Sequence, residues 1–271
     1  MKNILEVSTD IGCKVLCKYC PQSKVIERYK SNIKNMSFVN FKKILLNLDK
    51  DKTRLFFSGY SEFFLNPEAI DIIVYAYESG FQISFASTLI GLTKEKLFSL
   101  TNNKVSFECC LFHRAISSTM YDEKVFDEFV DFFIKNINMK FFKVFKVEDF
   151  RSRAGTLFEM KRKKGKHICA TNMFNRNVVV PNGDLFLCCN DFGLNHKIGN
   201  LFEESYYSES ILNNRKKISE AMNKEDSDII CRYCEFFVKD EKEKYLLLNS
   251  FDNKFSYKEN NDSSILKNFD N

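Results

Sequence analysis

The chain has 271 residues, 44% apolar and 28% charged, which excludes a disordered polar segment and supports one large domain, or one domain with an appendage. No apolar run reaches the length of a membrane span, and MKNILEVSTDIG enters a strand without a signal-peptide apolar stretch, so the cytoplasm is the expected location and no membrane partner is expected. There, ten cysteines argue for metal or catalysis and against disulfides, and a net charge of +5 is weak ground for a nucleic-acid partner, so none is expected.

Residues 1–150 alternate strand and helix patterns, the signature of βαβ units and a parallel sheet. The first strand runs from Ile4 to Thr9. Ser37 caps a helix that carries Phe38, Phe41, Ile44, Leu45 and Leu48 on one face. A second strand spans Arg54 to Phe57. The next helix starts at Asn66-Pro67 and ends at Gly80. Phe81 to Ala86 form the third strand, and Thr93 opens the third helix. Lys104 to Phe112 form the fourth strand. Tyr121 to Lys135 form a fourth helix, with Val125, Phe129 and Phe132 or Phe133 inward, and Lys140 to Val147 a fifth strand. Five strands and four helices predict an α/β fold, a partial, truncated TIM-like (β/α) barrel. Polar residues recur with period two: Glu6 and Ser8, Gln82 and Ser84, Ser106 and Glu108, with Lys143 on the fifth strand. They predict a lumen that holds a polar ligand, or else frayed or edge strands. The 29 phenylalanines and absent tryptophan read as compositional drift.

Three thiols follow the first strand as C-x3-C-x2-C: Cys13, Cys17 and Cys20, with Tyr19 before the last and Pro21 after it. Zinc would want a fourth ligand. A four-iron cluster can be held by three thiolates with one iron left open. Three buried cysteines or a zinc knuckle are the plain alternatives. A second set comprises Cys169, Cys188, Cys231 and Cys234. Between the first two lies VVVPNGDLFL, whose Asn182-Gly183 pair is a strong hairpin signal and puts Cys188 on the return strand. Cys231 and Cys234 are spaced to grip one metal site. Four thiols from three segments make a closed site that pins a small domain with little core, and structural zinc fits the spacing as iron–sulfur does. From Lys239 onward the polar chain reads as a frayed helix or disordered tail, 239–271.

The first cysteine motif resembles the cluster motif of the radical S-adenosylmethionine (SAM) superfamily. That resemblance implies a [4Fe-4S] cluster on Cys13, Cys17 and Cys20 whose open iron is chelated by SAM. Phe57 to Glu68 is similar to the family's Gly-Gly-Glu-Pro segment, with Tyr60-Ser61 in place of the second glycine region and Phe63 where proline is usual. Tyr19, Ser58, Gly59, Tyr60, Glu62, Ser87, Thr88 and Arg153 are the cofactor-binding residues the resemblance implies. Arg153, within a Ser-Arg-Ala-Gly run, would pair with SAM's carboxylate or a polar substrate. The second set resembles the family's twitch domain, a shortened SPASM domain with one auxiliary [4Fe-4S] cluster on Cys169, Cys188, Cys231 and Cys234. The Asp191-Phe192-Gly193 and Gly199-Asn200 runs follow the same pattern. The division expected is a core at 1–155, the cluster domain at 156–238 and the tail.

The layout resembles the superfamily's 2-deoxy-scyllo-inosamine dehydrogenases. It implies an oxidoreductase: an adenosyl radical takes hydrogen from an alcohol carbon, a base takes the hydroxyl proton, and the auxiliary cluster takes the electron. The expected substrate is a sugar, polyol or aminocyclitol, and the expected electron donor a flavodoxin or ferredoxin. Arg153, Tyr60 and Cys110 are the candidate catalytic residues. Cys110 shares a strand face with Glu108 and Ser106 by alternation, and its thiol could give hydrogen to a radical, though it reads by default as a small apolar residue. Cys109 is left unassigned, Cys189 is expected to pack, and His113 to cap or face solvent. Two alternatives stand beside this: a peptide-modifying or epimerising enzyme, or a metal-stabilised binding or redox-sensing protein without turnover.

Overall fold

The computed structural model describes residues 2–145, 151–171 and 175–254, the side chains of 249–254 excepted. It begins with β1 (Asn3–Val7), the cysteine loop and a short helix α1 (Gln22–Arg28) that the sequence pattern did not mark. Helix α2 (Phe38–Leu46) starts where its cap predicts: Ser37 Oγ accepts from the Asn40 N–H at 3.2 Å, and Phe41, Ile44 and Leu45 are buried. Strand β2 (Thr53–Phe57), helix α3 (Ala69–Glu78) and strand β3 (Gln82–Ser87) follow. Thr93 caps α4 (Lys94–Asn102), accepting from the Lys96 N–H.

The fourth predicted strand is two strands, β4 (Ser106–Phe107) and β5 (Cys109–His113), separated by a bend at Glu108. The bend resets the alternation, with consequences for Cys110. Helix α5 (Glu123–Asn136) buries Phe126, Phe129, Val130 and Phe133, whereas Val125, expected inward, is 42% exposed. The deciding stripe has its own i, i+3, i+4, i+7 spacing, beside the one through Val125. Strand β6 (Asn138–Met139) pairs with β4, and β7 (Phe142–Phe145) pairs with β5. Residues 146 and 147, expected to continue this strand, lie outside the described residues.

Next come β8 (Ile168–Cys169), β9 (Arg176–Val179), β10 (Asp184–Phe186), β11 (Lys197–Asn200), α6 (Glu209–Met222), β12 (Phe237–Val238) and α7 (Glu241–Lys254). The Asn182-Gly183 turn joins β9 to β10 as predicted, with Gly183 at φ +81°, a left-handed conformation suited to glycine. A helix occupies the start of the predicted tail, and 255–271 lie outside the described residues.

Five strands, β1, β2, β3, β5 and β7, pair in parallel, which is the expected truncated barrel. The sheet does not stop at β1. Strand β9 pairs with β1 in parallel, Ile4 opposite Arg176 and Glu6 opposite Val178, so the sheet runs β11-β10-β9-β1-β2-β3-β5-β7. The apolar faces of α2 to α5 close over one side in a single core.

Phenylalanine fills that core by contact. Phe85 meets Phe64, Phe107, Phe112 and Phe133 with ring centroids 5.1–5.7 Å apart, mostly edge to face. Replacing Phe85 by Ala should lower unfolding free energy by about 3–5 kcal/mol in a denaturant melt, because four rings then border a void.

Candidate functional site

At the C-terminal ends of the parallel strands lies a cavity of about 350 Å³, lined by Cys13, Cys17, Cys20, the 58–62 loop, Ser87, Thr88, His113, Arg151, Arg153, Arg176 and Cys189 among others. Such barrels place their sites at this end. The three thiols thus come together on one wall, as their spacing predicts. They are electrostatic neighbours: charge on Cys13 or Cys17 opposes ionisation of Cys20. Burial pushes the Cys20 thiol up to about 12, with Arg153 pulling the other way, and burial raises Cys13.

The cysteine loop is tied to the 58–62 loop through Gln22. With its amide turned to satisfy both ends, Gln22 donates to the Tyr60 carbonyl at 2.8 Å and accepts from the N–H groups of Gly12 and Cys13, each at 3.1 Å. Gly59 has φ +92°, and a Cβ there would sit 3.1 Å from Ser8 Cβ and 3.2 Å from Val178 Cγ1. The loop therefore lies close against Ser8 and Val178, at the paired ends of β1 and β9, in a conformation suited to glycine.

Glu62 is buried and accepts four hydrogen bonds: from Ser87 Oγ at 2.5 Å, Thr88 N and Thr88 Oγ1 at 2.6 Å each, and Phe64 N at 3.3 Å. Desolvation raises its carboxyl and these donors hold it down. The Ser87 and Thr88 hydroxyls, expected on SAM, are turned onto this carboxylate, although both residues line the cavity. Ser58 Oγ donates to Glu6 Oε2 at 3.0 Å.

Tyr60 is placed differently from the expectation of a catalytic phenol. Its ring is buried and its hydroxyl donates to the carbonyls of Cys188 and Asp191, at 3.0 and 3.1 Å. Burial drives the phenol well above its usual range. It bolts the first cysteine region to the second. Cys110 also needs correction. It is fully buried in the Phe85 core and lies off the cavity, because the Glu108 bend moves the lumen-facing positions of β5 to Leu111 and His113. Arg153 faces the cavity at φ +52°, and Tyr19 borders it.

Three lining residues were missed or misread. Arg176 opens β9 and pairs with Glu6 through Nε. His113, expected at the surface, stacks on Phe145 at 4.4 Å, and burial with the Arg153 and Arg151 charges holds its imidazole down to about 4. Cys189, expected to pack, lines the cavity, and burial pushes its thiol up to about 12. Of these only His113 carried a signal, its place at a strand's C-terminal end.

The second cysteine set lines a narrow apolar cleft: Cys169, Cys188, Cys231 and Cys234, with Thr171, Asn190, Phe236 and Phe237. Cys169 sits on β8 and Cys188 just beyond the hairpin's return strand, two residues past its end. Burial raises Cys188 and Cys234 and takes Cys231 to about 12. Fully buried Arg232 locks the segment, donating to the carbonyls of Lys163, Gly165 and Lys224 at 2.7–3.0 Å. Among the described residues, no group of three or more His, Cys, Asp or Glu is placed to hold a single metal ion. Desolvated thiols grouped on two walls suit a cationic cluster, which takes the place of their protons. Asn190 and Phe236 line both the cavity and the cleft.

Comparison with known proteins agrees with this reading. Residues 169–235 match the family model of SPASM, an iron-sulfur cluster-binding domain. The structure is similar to BtrN in complex with AdoMet and 2-DOIA: TM-score 0.58, 18% identity, 81% of this chain and 88% of that one covered. It is similar to anSMEcpe with bound AdoMet, with TM-score 0.54 and 11% identity over 93% of this chain and 99% of that one. Streptococcus suis SuiB bound to precursor peptide SuiA gives TM-score 0.50 and 11% identity, covering 82% and 69%. No curated protein matches the sequence significantly. The chain has the radical SAM partial-barrel fold and carries a SPASM segment. Among the described residues no helix is long and apolar enough to cross a membrane.

His113 supplies a pH test. Its folded pKa lies below its ordinary 6.5, so the stability tied to a neutral imidazole is present above that value and is lost as pH falls from 6.5 through about 4. In an NMR titration of the metal-free chain, the His113 ring should stay neutral at pH 5.5; half-charging near 6.5 would contradict the geometry.

Proposed function

We propose that this protein is a radical SAM iron–sulfur enzyme that oxidises an alcohol of a small hydroxylated substrate. The observation that carries the reading is one cavity that gathers Cys13, Cys17, Cys20, the Gly59–Glu62 loop and Arg153, with the second thiol set behind its wall. Cys13, Cys17 and Cys20 would hold a SAM-binding [4Fe-4S] cluster, and Cys169, Cys188, Cys231 and Cys234 an auxiliary one. When bound, the first cluster supplies an electron to SAM and so releases a 5′-deoxyadenosyl radical.

The chain's own residues do the rest. The Gly59 backbone would offer polar groups to the methionine end of SAM, since the Ser58 N–H is given to the Val7 carbonyl and the Tyr60 N–H to Ser8 Oγ. Glu62 fixes that loop against β3 through Ser87 and Thr88. Phe56, Phe145, Phe192 and Phe236 shed water from the cavity, which protects a radical from quenching. Neutral His113 faces the substrate space and can take the hydroxyl proton. Asn190 and Phe236 form the partition an electron would cross to the second thiol set. A flavodoxin or ferredoxin would deliver the first electron, and the working division is a core at 1–155 and a cluster domain at 156–238.

One observation favours a second reading, peptide modification or epimerisation: the Cys189 thiol lines the cavity where it could donate hydrogen. Full product formation by Cys189→Ala would dismiss it.

Anaerobic reconstitution should yield about eight irons per chain, about four for each cluster. Changing Cys13, Cys17 and Cys20 together to Ala should remove about half of that iron and abolish 5′-deoxyadenosine formation from SAM and dithionite. Zinc at these sites, or uncleaved SAM with every candidate substrate, would defeat the proposal.

A further inference from the structure

Three guanidinium groups face the cavity, each resting on an aromatic ring. Arg176 lies over Phe56 with its carbon 4.8 Å from the centroid, Arg151 over Phe236 at 5.1 Å and Arg153 over Phe192 at 5.9 Å. Such braces hold the planar fork in place before any ligand arrives. The cavity's two carboxylates, among the described residues, are engaged. Glu6 takes Arg176 Nε on one oxygen and Ser58 on the other, and Glu62 takes its four donors. Arg153 makes no ion pair with a described residue, and its Nε is buried without a hydrogen-bond partner. Arg176 has spent its Nε on Glu6 and keeps its two terminal amino groups for the cavity.

The cofactor brings no net counter-charge. A dicationic four-iron cluster on three thiolates carries one net negative charge, and SAM, with sulfonium, ammonium and carboxylate, carries one net positive charge. Together they are neutral, so Arg153, which has no carboxylate partner among the described residues, is left for the substrate.

We propose that Arg153 and Arg176 form an anion-recognition pair, and that the substrate is a small hydroxylated compound carrying a carboxylate or a phosphate. This rests on the function proposed above and names its substrate class. Bidentate acceptors of both kinds match the guanidinium fork. An aminocyclitol would instead bring an ammonium to a wall whose described carboxylates are both engaged. An anion beside Arg153 would also offset the Arg153 charge that, after burial, holds the His113 imidazole down, and so make His113 a better proton acceptor, which joins recognition to chemistry.

The test is equilibrium binding to the anaerobically reconstituted, SAM-loaded protein, with four probes: D-glucuronate, glucose 6-phosphate, myo-inositol and an aminocyclitol. At least one anion should bind tenfold or more tightly than both neutral and cationic probes, and which anion does so separates carboxylate from phosphate. That preference should shrink roughly ten- to hundredfold in Arg153→Gln, the effect of a lost charge-assisted hydrogen bond, and be partly restored in Arg153→Lys. Equal binding of all four probes, tighter binding of the amine, or no binding of either anion would overturn it. A loss of SAM affinity in Arg153→Gln with the probe preference intact would assign Arg153 to the cofactor and likewise overturn the pair. Production of 5′-deoxyadenosine is scored separately, so failure of the substrate class and failure of the enzyme class remain distinct.

Discussion

The parallel pairing of β9 with β1 is the constraint on which the rest depends. Strand β1 would otherwise be an open edge with unpaired amides and carbonyls. Pairing Ile4 with Arg176 and Val7 with Val179 closes that edge and fixes a register. Register in a sheet decides which side every residue faces. Here it sets Arg176 against Glu6, brings Val178 under Gly59, and carries Cys189 and Asn190 to the rim of the first cavity. The two cysteine regions lie about 150 residues apart in the chain, yet their cavity and cleft adjoin at Asn190 and Phe236.

Buried polar groups reinforce the junction. The Tyr60 hydroxyl satisfies two carbonyls of the second region, and Phe192 packs edge-on against the Tyr60 ring at 5.0 Å. Buried donors and acceptors are costly when unpaired, so these bonds work best when both regions are in place. The phenol is therefore better understood as a strut than as an acid or base. Glu62 behaves in the same way on the other flank, joining the β2 and β3 loops with hydroxyl and amide donors. Together they leave a site with tied edges and an open centre.

Some of this was legible in the amino acids. The C-x3-C-x2-C and C-x2-C spacings mark thiols that can converge because short loops hold them close. The caps at Ser37 and Thr93 and the Asn182-Gly183 turn act through one or two local hydrogen bonds and backbone angles, so they stood where predicted. Glu6, singled out as a polar residue on a strand, does face the lumen. The error at Cys110 has a local cause with a long-range origin. Strand β4 leaves the main sheet to pair with β6, and the bend this produces at Glu108 shifts the phase of the strand after it.

The sequence by itself determined the parts: two sets of grouped thiols, a series of βα units, a glycine-bearing loop and an arginine after the last core strand. Each is written in neighbouring residues, within the few positions that torsions and hydrogen bonds span. Tertiary structure alone decided which side chains share a space. The partnership of Arg176 with Glu6, the placement of His113 beside two arginines and the burial of the Tyr60 phenol arise between residues far apart in sequence. Their meeting depends on sheet register and the close packing of a phenylalanine core, which no local pattern encodes.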